Sequence, residues 1–228
     1  MEAIVLAGGL GTRLRQTVPD LPKPMAPIAG RPFLEILLGS LQRKGVTRAI
    51  LSVGFMADKI MAHFGYRFHG LEIDYAVEEK PLGTGGAIRL AMEASRADHA
   101  FVFNGDTFLD LEVHSLEQRW QEFQRPILVG RLVPDTARFG RLVTEHGQVV
   151  GFTEKGVGGP GLINAGCYVF GREQLSDYPL NQAFSLEIDY LAKKVCQAPM
   201  GLFVTEGQFI DIGVPEDFVR AQTELAAW

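Results

Sequence analysis

Apolar positions in the first hundred residues alternate between short continuous runs and stripes of helical period. Ala3–Ala7 is a continuous run closed by Gly8-Gly9, the pattern of a strand buried on both faces. Over Pro32–Lys44 the apolar residues Phe33, Ile36, Leu37, Leu38 and Leu41 share one helical stripe, which Gly45 stops. Arg48–Gly54, Leu71–Val77 and Ala100–Phe103 read as further strands, with helices over Ala57–Phe64 and Thr84–Ser95. Strands alternating with helices at these distances imply right-handed crossover units on a mostly parallel sheet.

The second half is less regular. Ile127–Val133, Arg141–Thr144, Val149–Thr153 and Leu162–Phe170 have strand character, with His146-Gly147 as the turn of a hairpin. Phe184–Val195 and Pro215–Ala227 have helical character, the latter with proline in its first turn. The pattern predicts one α/β domain over residues 1–228, a Rossmann-like three-layer sandwich with a mostly parallel central sheet. Residues 1–110 form its nucleotide half and 111–228 an antiparallel half that shapes the substrate. The apolar end Leu225–Trp228 could pack on the core or on a second copy in a homo-oligomer.

Composition narrows the function. With 46% hydrophobic and 21% charged residues the 228-residue chain is globular rather than disordered. A net charge of −5 removes any whole-surface case for nucleic acid or an anionic membrane, and leaves room for a local cationic pocket. No apolar stretch approaches the ~18 residues that span a bilayer, and the N-terminus lacks a basic leader, so a cytoplasmic location is expected. Cys167 and Cys196 are too far apart for a C-x-x-C motif and are expected to be reduced core residues. The histidines show no metal-ligand spacing, and no G-x-S-x-G elbow is present.

The richest chemistry lies in Leu6-Ala7-Gly8-Gly9-Leu10-Gly11-Thr12-Arg13-Leu14. Glycines directly after a buried strand let backbone N–H groups approach an anion. The segment is neither a Rossmann fingerprint, whose last glycine is missing, nor a Walker A loop, since no G-K-[ST] follows. Arg13 adds a planar fork that grips phosphate oxygens in pairs. Beyond it, Leu21-Pro22-Lys23-Pro24-Met25 holds a lysine between two prolines, which stiffen the backbone and aim Lys23.

Leu6–Lys23 resembles the G-G-x-G-T-R-L…P-K-P signature of the sugar-1-phosphate nucleotidylyltransferases. The likeness continues in order through Pro81–Ala87 (P-L-G-T-G-G-A), Asn104-Gly105-Asp106, Phe152–Lys155, Ile163–Gly166 and Phe209–Gly213. Within that family, Leu21–Ile28, Pro32–Glu35, Gly105–Phe108 and Phe209–Asp217 are most similar to the D-glycero-α-D-manno-heptose 1-phosphate guanylyltransferases. The resemblance implies transfer of GMP from GTP to heptose 1-phosphate, with release of pyrophosphate and Mg²⁺ as cofactor. UTP or dTTP with another sugar phosphate, GTP with mannose 1-phosphate, and a catalytically silent nucleotide-sugar-binding subunit remain as alternatives.

Such a reaction brings two anions together, so it calls for positive charge and alignment rather than a covalent nucleophile. Arg13, Lys23 and Asp106 are the implied catalytic residues. The nucleotide would lie against Leu6, Ala7, Gly8, Gly9, Gly11, Thr12, Arg13 and Lys23, and against Glu79, Pro81, Gly83, Thr84, Gly85 and Gly105. Gly83, Gly85 and Gly86 would let the chain pass close to the base, while Glu78 or Glu79 could accept from guanine N1–H and N2–H₂. Asp106 and Asp211, each at the end of an apolar strand, are the implied metal pair. Asn104, Glu154, Lys155, Asn164, Gly166 and Glu187 are the implied sugar-phosphate residues, and Gly156 stands where the family commonly has proline after the lysine.

Overall fold

The computed structural model describes residues 1–9, 11, 19–153 and 155–228. In chain order its elements begin with β1 (Glu2–Leu6), a 3₁₀ turn (Lys23–Met25), the short pair β2 (Pro27–Ile28) and β3 (Arg31–Pro32), α1 (Phe33–Arg43), β4 (Arg48–Val53) and α2 (Ala57–Phe64). Next come β5 (Arg67–Phe68), β6 (Leu71–Val77), α3 (Gly83–Met92), β7 (His99–Asn104), β8 (Thr107–Leu109) and α4 (Val113–Phe123). The second half holds β9 (Ile127–Val133), β10 (Leu142–Glu145), β11 (Gln148–Phe152) and β12 (Gly161–Gly171). A π-helical turn (Leu186–Leu191) then runs into α5 (Ala192–Gln197), followed by β13 (Met200–Thr205), β14 (Phe209–Asp211) and α6 (Pro215–Glu224).

The main sheet has the order β10-β11-β13-β9-β12-β7-β1-β4-β6-β5. β7, β1, β4 and β6 are mutually parallel, and β12 enters antiparallel between β7 and β9. Among the described residues only β12, β11 and β5 run against the rest, so the sheet is mostly parallel as the alternation predicted. Side-chain alternation builds a core on each face. β1 sends Ala3 and Val5 to one side with Leu34 and Leu38 of α1 and Leu116 and Trp120 of α4. It sends Ile4 to the other side with Ile88 and Met92 of α3 and Leu186 and Leu191 of the π-helical turn. The result is helix, sheet, helix: three layers.

Several elements depart from expectation. Helix α4 is not among the expected elements; it buries Val113, Leu116 and Trp120 on one stripe. Strand β13 pairs parallel with β9, and β8 with β14 forms a separate two-stranded ribbon that carries Asp211 opposite Thr107. The helix expected over Phe184–Val195 starts at Leu186 and begins as a π turn, with Ser185 accepting from the Ile188 N–H. His146 and Gly147 both take left-handed φ (49° and 72°) between paired Glu145 and Gln148, the two-residue turn expected there. Cys167 is buried, but Cys196 is exposed rather than in the core; both are free thiols. Trp228 packs against the ring of Phe108 within the same chain. Among the described residues no helix is long and apolar enough to cross a membrane.

Candidate active site

A cleft of about 620 Å³ opens at the C-terminal ends of the parallel strands, where an α/β sheet presents its ligand crevice. Leu6 lines it from the end of β1 and Gly8, Gly9 and Gly11 from the loop that follows, with Ala7 buried behind them and its N–H bonded to Ser52 O. Pro81, Gly83 and Thr84 line it from the start of α3, Asn104 and Asp106 from the end of β7, and Lys23 and Pro24 from the 3₁₀ turn. Thr12, Arg13 and Glu154 lie outside the described residues.

Lys23 is aimed. Pro22 has φ −66° and Pro24 sits in the first turn, and the Lys23 ammonium forms an ion pair with the Asp106 carboxylate. Gly11 has φ +58°, and a Cβ there would meet the Lys23 side chain at 2.8 Å, so only glycine fits the turn that faces the lysine. Asp211 comes to the same place from β14. The Ile212 N–H bonds to Asp106 O at 3.0 Å, and Asp211 Oδ1 accepts from the Gly213 N–H at 2.8 Å. Burial, then the nearby Asp106 charge, raise the Asp211 carboxyl above its ordinary value; the Gly213 hydrogen bond, Lys23 and Arg138 offset part of this. Arg138 was not singled out from the sequence; it is held to Asp217 at 2.9 Å and contributes positive potential at Asp211.

Glu78 rather than Glu79 lines the cleft. Its Oε1 accepts from Ser52 Oγ at 3.1 Å and its Oε2 from the Leu82 N–H at 3.0 Å, whereas Glu79 is exposed. The glycines of the Pro81–Ala87 loop answer to a different neighbour from the expected base. A Cβ on Gly83 or Gly85 would run into Phe184, and one on Gly86 into Gln182 O. Thr84 Oγ1 donates to Glu187 Oε2 at 2.9 Å, which places Glu187 against the Pro81–Ala87 loop.

On the other side, Asn104 at the end of β7 meets Gly166 of β12. Gly166 (φ +70°) sits in the β12 bulge, where a Cβ would strike the Asn104 amide. Asn164 Nδ2 donates to Tyr168 Oη at 2.7 Å, and its Oδ1 accepts from the Gly166 N–H at 3.0 Å. Gly105 N–H bonds to Leu6 O, joining the ends of β7 and β1. Lys155 is exposed on a loop tied by the Gly156 N–H to Ala137 O, outside the lining of the cleft.

Among the described residues no group of three or more His, Cys, Asp or Glu side chains converges. Two carboxylates do, and with them a lysine. Paired carboxylates in a half-buried site repel each other, and a divalent cation relieves that repulsion while taking its other ligands from phosphate and water. The donor set therefore fits a hard cation that arrives with a nucleotide.

The sequence profile described as nucleotidyl transferase matches residues 2–227. The chain belongs to the nucleotidyl transferase family. It is 38% identical over 226 residues to the D-glycero-alpha-D-manno-heptose 1-phosphate guanylyltransferase of Aneurinibacillus thermoaerophilus, covering 99% of this chain and 98% of that protein. It is 36% identical to the mannose-1-phosphate guanylyltransferase of Mycobacterium tuberculosis, covering 99% of this chain but 64% of that protein. The crystal structure of HddC from Yersinia pseudotuberculosis in complex with GMP-PN superposes with a TM-score of 0.86 at 38% identity, covering 97% of each chain.

Proposed function

We infer that this nucleotidyl transferase joins GTP and D-glycero-α-D-manno-heptose 1-phosphate, releasing pyrophosphate and GDP-heptose. The observation that carries the chemistry is the convergence of Lys23, Asp106 and Asp211 at the mouth of a glycine-lined cleft. The choice of substrates is supported by relatives of that name matching end to end, whereas the mannose-1-phosphate relative extends well beyond this chain. The same reading puts the nucleotide on residues 1–110, the sugar phosphate on 111–228, and the enzyme in the cytoplasm with its GTP.

An oxygen of the sugar phosphate attacks the α-phosphorus in line, and pyrophosphate leaves from the opposite side. Backbone N–H groups of Gly8–Gly11 and the Arg13 guanidinium hold the leaving phosphates. Lys23 offsets negative charge as it builds on the α-phosphate, a role its stiff Pro-Lys-Pro setting suits because little ordering remains to be done on binding. Asp106 and Asp211 would hold Mg²⁺. When bound, the ion supplies charge neutralisation at the phosphates and draws them into one alignment. Glu78 offers carboxylate oxygens where a guanine edge presents two donors, N1–H and N2–H₂. Lys155 meets the sugar phosphate, Glu154 and Glu187 its hydroxyls, and Asn104 and Asn164 shape the pocket wall. Two anions are brought together by fixed charge, with no covalent link to the protein.

A matrix of nucleoside triphosphates against sugar 1-phosphates, scored by pyrophosphate release, tests this reading. The highest kcat/KM is expected for GTP with the heptose 1-phosphate. Preference for UTP or dTTP would remove the guanine assignment, and preference for mannose 1-phosphate the heptose assignment. GTP binding without turnover on any sugar phosphate would make the chain a binding subunit.

A further inference from the structure

Thr84 opens α3 and lines the cleft, yet its hydroxyl is already committed to the far half of the chain. It donates to Glu187 Oε2 at 2.9 Å and accepts the Leu186 N–H at 2.9 Å. Around it two backbone segments distant in sequence dock like a fragment of sheet. The Phe184 N–H donates to Leu82 O at 3.0 Å and the Gly85 N–H donates to Phe184 O at 3.1 Å. Gly83, Gly85 and Gly86 are shaped to this segment, since Phe184 and Gln182 occupy the space of their missing side chains. Glu187 is steadied on the same oxygen by Ser185 Oγ at 3.1 Å, and among the described residues its Oε1 takes no hydrogen bond. Both residues belong to a π-helical turn and its cap, a rare local geometry that recurs where a fold sets up a site.

We propose that Thr84 is a positioning residue that couples the two substrate sites, its hydroxyl holding Leu186 and Glu187 so that a nucleotide seated against Gly83–Thr84 sets the aim of the Glu187 carboxylate toward the hydroxyls of the sugar. This rests on the cleft being the GTP site. Coupling of this kind is reciprocal: each ligand changes the affinity of the other by one factor. Thr84 acts through Glu187 and touches no reacting atom.

The test is calorimetric titration of heptose 1-phosphate, with Mg²⁺, in the presence and absence of a non-hydrolysable GTP analogue. Wild-type protein is compared with Thr84→Val, which keeps the shape and loses the hydroxyl, and with Thr84→Ser, which keeps the hydroxyl. In the wild type the analogue is expected to tighten sugar-phosphate binding about tenfold, within the usual span of coupling between sites. In Thr84→Val that factor falls below about twofold, and in Thr84→Ser it returns. A merely structural role would weaken both ligands and leave the factor unchanged, which overturns the proposal. So does a wild type that binds both ligands without coupling. A wild type that binds no GTP analogue overturns the GTP reading itself, and the coupling with it.

Discussion

At the scale of single residues, the account turns on three charged groups that meet from distant parts of the chain. Lys23→Met is expected to lower kcat by roughly 10²–10³, the usual loss when one preorganised group facing transition-state charge is removed; single-turnover kinetics at saturating GTP would read it. Asp211 shows the cost of such a site. Its carboxyl is raised above the ordinary 3.8, so the native state takes up that proton more readily than the unfolded chain, and the ionised form works against folding at neutral pH. Asp211→Asn should therefore raise Tm at pH 7 while lowering activity, and the Tm gain should vanish below about pH 3.8, where both states are protonated. Thermal melts of the two proteins from pH 3 to 7 would check both halves. Glu78→Gln should weaken GTP by about tenfold or more while sparing sugar-phosphate affinity, because a base-reading site loses one acceptor. Lys23 could be read from the sequence because proline acts locally. Choosing Glu78 over Glu79 could not, because the choice depends on where the strand stops. The Glu78 N–H still bonds to Val53 O, so the chain follows β4 one residue beyond β6 and turns that side chain toward Gly8.

At the scale of elements, hydrophobic period located β1, β4, β6, β7, α1, α2 and α3 to within three residues at each end, since each is buried by its own pattern, but not the short strands β2, β3, β5 and β8. The later pieces depend on neighbours. β13 is a short run broken by Gly201, and β9 and β11 on either side make it a strand. The β8–β14 ribbon joins segments about a hundred residues apart, so no local pattern announces it. Polar residues also carry order here. Arg48 lies buried at the opposite end of the sheet from the cleft, paired with Glu2 at 2.7 Å and with Asp74, which ties β1, β4 and β6. Glu2 would be raised by burial, but bonds from Ser95 Oγ, the Arg96 N–H, Arg48 and the Ala97 N–H outweigh this and hold it below 4.5. Its contribution is thus present above pH 4.5 and lost as pH falls through its native value. Glu2→Gln should cost about 3–5 kcal/mol at pH 7, the range for breaking a buried pair, measured by urea unfolding, with the gap to wild type narrowing below pH 4.5.

At the scale of the molecule, one sheet carries both groups of residues proposed to meet the two substrates. The parallel strands end in the glycine loop, and the reversed strand β12 brings Gly166 against Asn104, which lines the same cleft. The glycines of Pro81–Ala87 belong to this scale too. Read alone they suggest a loop that admits a base; in the fold they admit Phe184 and lock the halves together. The central claim is a single displacement at phosphorus, with charge supplied by fixed side chains and a divalent ion. The most direct test is stereochemical: react heptose 1-phosphate with one diastereomer of GTPαS and determine the configuration at the α-phosphorus of the product. One in-line attack predicts inversion; retention would require a nucleotidylated enzyme between two displacements and would contradict the account.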